Sequence, residues 1–170
     1  MSSPPRATAP SPTSYLVEAI KPHLVPYIWD FVAKHIQKAI AVSNGEMWLE
    51  DVYVRLLDQR MFLFVAKQNH IIRGAAVCEV IKYPRKLVIR VVYLGGDTGG
   101  LFKEWRWKLH ETLKTWAAQI GADSIESFTR PGMAKMLLAG GYRQTYVGME
   151  LTEGTGKWEA GAATTHKQTR

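Results

Sequence analysis

Thiol chemistry is nearly absent from this chain of 170 residues, which carries one cysteine, Cys78. A lone cysteine excludes an internal disulfide and fits a reducing compartment. Its place in an apolar run makes it an expected small buried hydrophobe. Long apolar runs are also missing, and none approaches the ~20 residues that span a bilayer. The opening residues Met1-Ser-Ser-Pro-Pro-Arg6 lack the apolar stretch of an export signal. The expectation is a cytoplasmic protein that does not enter a membrane. Metal-ligand spacing is lacking too. His23, His35, His70, His110 and His166 form no such pattern with one another or with Cys78, so no metal is expected. No Ser-His-Asp arrangement is arguable from spacing. No Gly-Lys-Ser/Thr follows a glycine cluster, which argues against an ATP-type P-loop.

Basic residues outnumber acidic ones, giving a formal charge of +7. Segment 15–152 alone carries 18 basic and 13 acidic residues. That excess favours anionic partners without choosing among nucleotide phosphates, nucleic acid and an acidic protein face. The densest groups, Lys82/Arg85/Lys86/Arg90 and Lys103/Arg106/Lys108, are scattered and read first as solvated charge. With no continuous basic stripe or binding motif, nucleic acid is the weakest of the partner readings.

Residues 1–14 are rich in Pro, Ser, Thr and Ala, and residues 153–170 are similarly polar and small; both are expected to be disordered tails. Trp158 is the exception and could dock onto a partner. Residues 15–152 read as one domain, and no internal repeat is found. Pro26 suits the first turn of a helix whose stripe is Ile28, Phe31, Val32, His35, Ile36, Ala39 and Ile40, ended by Asn44-Gly45. A second helix is expected over Glu46–Asp58, with Trp48, Leu49, Val52, Tyr53 and Leu56 on one side. Three antiparallel strands follow, Met61–Ala66, Ile71–Ile81 and Leu87–Leu94, joined by the short turns at Gln68-Asn-His70 and Tyr83-Pro84. They are apolar on both faces, so helices should cover both sides.

The most informative stretch runs from Leu87 to Tyr142. The apolar strand ends in Gly95-Gly-Asp-Thr-Gly-Gly100 and feeds a long helix, Leu101–Ile120. A glycine loop at a helix N-terminus presents backbone N–H groups to phosphate. A strand at Asp123–Phe128, a short helix at Pro131–Ala139, Gly140-Gly141-Tyr142 and a strand-like Tyr142–Leu151 complete the order. Strand, long helix, strand is the pattern of a parallel crossover.

This order of elements resembles the GNAT (N-acyltransferase) fold: an α/β (α+β) mixed sheet with an antiparallel three-strand meander, a crossover helix, a parallel strand, a short helix and a final strand. It is also similar to small, divergent GNAT-like proteins encoded by tailed bacteriophages, some beside virion genes. That second likeness implies a place in the host cytoplasm or the virion. The GNAT resemblance implies transfer of an acetyl or other acyl group from acyl-CoA to a small-molecule or protein amine. It implies a cofactor site in which Val92, Tyr93 and Leu94 offer backbone to pantetheine and Gly95, Gly96, Thr98, Gly99 and Gly100 cradle the phosphates. Two departures stand out. Family loops read Gln/Arg-x-x-Gly-x-Gly/Ala, whereas this chain places Asp97 and Phe102 there. The closing family motif has a Tyr that often acts as general acid, and alignment on Gly141-Tyr142 puts Leu137 in its place and Arg130 at the family's Asn. Tyr142 matches a structural aromatic.

Amine acylation needs a base, usually a carboxylate. Glu79 is the only acid in the three central strands and is the catalytic candidate; it shares a face with Ala75 and Val77. The competing expectation pairs it with Arg73 or Arg90, because half-buried charges are usually paired. His35 is expected to be a core residue, as are Trp105 and Trp116. Trp107 sits between Arg106 and Lys108 and is either an exposed stacking residue or partly buried. The alternative to an enzyme is a catalytically inactive GNAT-fold module with a structural or interaction role, for example in phage particle assembly through the tails.

Overall fold

A computed structural model describes residues 15–97 and 100–149, with residues 100–103 as backbone only. Both expected tails lie outside the described residues. The chain divides into two compact units, one ending at Phe128 and one beginning at Thr129.

The first unit opens with a strand absent from the sequence reading, β1 (Leu16–Ile20). A 3₁₀ turn at Pro22–Leu24 leads into helix α1 (Val25–Ile40), with Pro26 in its first turn. α1 buries Val25, Val32, His35, Ile36 and Ile40. Phe31, placed by periodicity in the stripe, is 62% exposed; one step along a helix turns 100°, which carries it off the line through Val32 and Ile36. The helix stops at Ile40, ahead of Asn44-Gly45, because the Ser43 hydroxyl and backbone N–H both donate to the Ile40 carbonyl. Helix α2 (Leu49–Leu57) begins later than expected. Trp48 precedes it, largely exposed, and its backbone N–H donates to the Asp51 carboxylate at 2.8 Å, which ties down the first turn.

Strands β2 (Phe62–Gln68), β3 (Ile71–Tyr83) and β4 (Lys86–Gly96) form the expected antiparallel meander, with β1 added outside β2. Asn69 and His70 both have positive φ, the two-residue reversal whose twist suits a hairpin. Helix α3 (Gly100–Ile120) crosses back, and β5 (Ser124–Ser127) pairs with β4 in parallel. The sheet order is β1-β2-β3-β4-β5.

The meander is apolar on both sides because each side is covered. On one, Leu63, Val65, Ala75, Val77 and Tyr93 pack with α1 and α2. On the other, Phe64, Ala66, Ala76, Cys78 and Ile89 pack with Trp105, Leu109 and Leu113 of α3. Trp116 stacks at a tilt on Phe62 and Phe64. Cys78 is wholly buried, and burial pushes its thiol far up, so it is inert filling.

The second unit holds α4 (Pro131–Ala139), where the sequence reading put it. Gly141, at φ +86, turns the chain away, and the Tyr142 backbone N–H donates to the Leu137 carbonyl at 3.0 Å. That left-handed cap is a glycine's task. Tyr142 is half-buried rather than fully core. The final strand expected over Tyr142–Leu151 is not formed in residues 142–149, which carry no regular structure; the sheet's fifth strand comes instead from β1.

Candidate functional site

The feature that could hold a ligand is built by β4. Its pairing with β5 covers only Val88–Val91, yet β4 runs on to Gly96. On its other side Val77 pairs with Tyr93 and Cys78 with Val91, so Val92 is an extra, bulged residue. A bulge sharpens twist and bends a strand. β4 thus leaves β5 at the bulge while staying paired with β3, and the β5-facing edge of residues 92–96 has no strand partner among the described residues. Such an edge offers backbone N–H and C=O groups to an extended ligand. Val92, Tyr93 and Leu94, the expected pantetheine partners, lie on it.

Gly95 and Gly96 are buried, and their missing side chains are explained by packing. A Cβ on Gly95 would lie 1.9 Å from the His35 carbonyl oxygen of α1. One on Gly96 would lie 2.7 Å from the Trp105 ring and 2.9 Å from the Arg73 carbonyl. These glycines let α1 and α3 close onto the end of β4. Gly100 starts α3, while Thr98 and Gly99 lie outside the described residues.

The side chain of Tyr93 points into the α1/α2 core. Burial, then the Glu46 carboxylate, push its hydroxyl above the ordinary value, and a hydrogen bond with Ser43 opposes them. The sequence points to Tyr93 only for its backbone; that its hydroxyl lies beside the α1–α2 connection is not legible there, because the partners Ser43 and Glu46 are distant in sequence.

Glu79 stands opposite Arg90, on the face it shares with Ala75 and Val77 and just before the point where β4 leaves β5. The Arg90 guanidinium donates to Glu79 at 3.2 Å, to Glu126 of β5 at 2.7 and 2.9 Å, and to the Tyr83 hydroxyl at 3.0 Å. It also lies over the Phe128 ring, 4.7 Å from its centre. Arg90, not Arg73, is therefore the partner of Glu79. All three charged side chains are about one-fifth exposed. Two carboxylates share one cation, so the cluster is net negative and suits a cationic neighbour.

Arg73 pairs instead with Asp97, at 3.3 Å, where β4 runs out toward α3. His35 is fully buried. Burial pushes its pKa down, with nearby Asp97 opposing. Trp107 is partly exposed, with the Arg106 guanidinium over its ring and His110 edge-on to it. A separate cleft of about 280 Å³, lined by Ala19, Phe64, Thr112, Thr115, Trp116 and Gln119, shares no residue with the β4 opening.

Comparison with solved structures defines the class of fold. An aminoglycoside acetyltransferase from an uncultured soil metagenomic sample, in complex with trehalose, is similar with a TM-score of 0.62 and 15% identity over 82% of this chain and 97% of that one. Aminoglycoside N-acetyltransferase AAC(6')-Iy in complex with CoA is similar with a TM-score of 0.62 and 14% identity over 86% and 99%. A predicted acetyltransferase from Clostridium acetobutylicum, with acetyl-CoA, has a TM-score of 0.62 at 10% identity over 81% and 96%. The fold is that of the GNAT acetyltransferases. No protein-family model and no curated protein matches the chain.

Proposed function

We propose that this protein is an acyl-CoA-dependent N-acyltransferase acting on a small-molecule amine. The observation that carries the reading is the bulge at Val92 with the loss of β5 pairing beyond Val91. It leaves strand backbone open beside a helix start, where an extended pantetheine arm could pair and a pyrophosphate could meet N–H groups. Two structural relatives carry CoA or acetyl-CoA, and two are aminoglycoside acetyltransferases, which supports this choice of cofactor and of an amine acceptor.

In the proposed reaction the neutral amine nitrogen attacks the thioester carbonyl. Backbone N–H groups at Val92–Leu94 stabilise the oxyanion as the C–N bond forms. The C–S bond then breaks, and CoA leaves as a thiolate that must be protonated. The amine proton needs an acceptor, and Glu79 is the candidate. A base in this position would take its proton from an ammonium that the net-negative cluster has drawn in. Leu137 cannot donate a proton, so water would have to.

The engagement of Glu79 by Arg90, with Leu137 at the acid position, favours a second reading: a GNAT-fold module without catalysis, serving assembly, for example of a phage particle. A thermal-shift titration with acetyl-CoA and CoA separates the two. The enzyme reading expects a dose-dependent rise, abolished by Gly100→Glu at the start of α3. No shift at millimolar ligand would sink it and direct attention to partner capture.

A further inference from the structure

We propose that Asp97 is a built-in stand-in for a phosphate group, occupying Arg73 until an anionic ligand displaces it. The phosphate-bearing ligand is taken from the acyl-CoA reading; the clasp itself rests on this chain's own residues.

Arg73 sits at a bulge in β3: Ala66 pairs with Gly74 and Lys67 with Ile72, leaving Arg73 between. Bulges re-aim side chains. Here the guanidinium meets the Asp97 carboxylate through one nitrogen at 3.3 Å, while the Asp97 backbone N–H donates to the Arg73 carbonyl at 2.8 Å. The side-chain contact is long for a charge-assisted bond and uses one edge of a group built for two parallel bonds.

Two donors beside it are left over. Among the described residues, Arg73 Nε is buried with no hydrogen-bond partner, and so is the hydroxyl of Tyr15, a residue only 7% exposed. Burial and then Glu104, one turn into α3, push the Tyr15 hydroxyl up, with the Arg73 and Asp97 charges also acting on it. It therefore remains a donor. Orphaned buried donors are costly, and a single carboxylate does not satisfy this pair. A phosphate or pyrophosphate presents several acceptor oxygens and could take both Arg73 edges and the tyrosine hydroxyl. Asp97 and Glu104 supply the opposing charge. Affinity for anions is then set by how readily Asp97 gives up Arg73, and the acid at this family position becomes a brake rather than a lost ligand.

The test measures binding of CoA and, separately, inorganic pyrophosphate to the full chain by calorimetry at low salt. Wild type, Asp97→Asn, Arg73→Gln and the double variant are compared, each checked for folding by circular dichroism. The clasp expects Asp97→Asn to bind both ligands at least about fivefold more tightly, with Arg73→Gln cancelling the gain. Asp97→Ser repeats the test should the Asn variant fold poorly. Equal or weaker binding by the Asp97 variants would make Asp97 a mere loop anchor and overturn the proposal. CoA binding indifferent to both residues also overturns it while keeping the acyl-CoA reading. Tighter pyrophosphate binding with no response to CoA supports the clasp and rejects that reading. No binding of either ligand by any variant ends both.

Discussion

Gly95 is the position where a single atom would do most damage. An added methyl would overlap the His35 carbonyl, which belongs to the helix backbone and cannot swing aside. Gly95→Ala is expected to cost at least about 2 kcal/mol, toward the upper end for overpacked cores, read as a lower urea midpoint at unchanged slope. His35 makes the same contact from the other side and adds a pH signature. Burial holds its folded pKa below the ordinary 6.5, so the unfolded chain binds more protons as the pH falls through that value. Its contribution is whole above pH 6.5 and shrinks on acidification below it. His110 is shifted the same way by burial and adds its own share. His35→Leu should therefore flatten, without abolishing, the loss of stability between pH 6.5 and 5 in urea titrations. An unchanged slope would mean that His35 is not held neutral.

At the scale of the element, the β2–β3 hairpin and the β4–β5 junction carry the sharpest expectations. Asn69 and His70 both occupy the left-handed region. Asn suits it and His does so only at a cost, so His70→Gly should stabilise by about 0.5 kcal/mol and raise the melting temperature by a few degrees. At the junction, one guanidinium ties β3, β4 and β5 through Glu79 and Glu126. Arg90→Leu leaves two half-buried carboxylates facing each other and is expected to cost about 1–3 kcal/mol. Glu79→Gln should cost less, because Arg90 keeps its two contacts with Glu126. That difference makes Glu79→Gln a usable probe of chemistry: a stable, CoA-binding variant with lost turnover would identify Glu79 as the base, and retained turnover would reduce it to a strut.

For the whole molecule, the proposed cofactor site couples ligand to fold. A ligand that binds only the native state at a hundred times its Kd adds about 2.7 kcal/mol, so acetyl-CoA should raise the melting temperature by several degrees in a chain of this size. With a formal charge of +7, part of that gain is electrostatic and should shrink as salt is added. A rise equally large at high salt would place the ligand in an apolar site, such as the cleft beside Trp116.

Local pattern and short turns determined much of this protein. The meander, the crossover helix, the parallel strand after it and the short helix at Pro131 were legible because each depends on neighbours in sequence: period, glycine and proline punctuation, and connection length. The apolar character of both faces of β2–β4 correctly called for helices on each side. β1 was missed, since five residues with one carboxylate (Leu16–Ile20) become a strand only by pairing with β2. The final strand was expected from residue type alone and is not formed in residues 142–149, for β propensity acts only where a partner edge is met. At the candidate site, the glycines of β4 and the charge of Asp97 were visible as residues, but their meaning was not. Only the tertiary structure brought His35 and Trp105 against Gly95 and Gly96, set Arg73 on Asp97 through a bulge, and gave Glu79 to Arg90. His35 and Gly95, and Arg73 and Asp97, are far apart in the chain, and the nearer pairs meet only through the bulged register of the sheet, which no local pattern encodes.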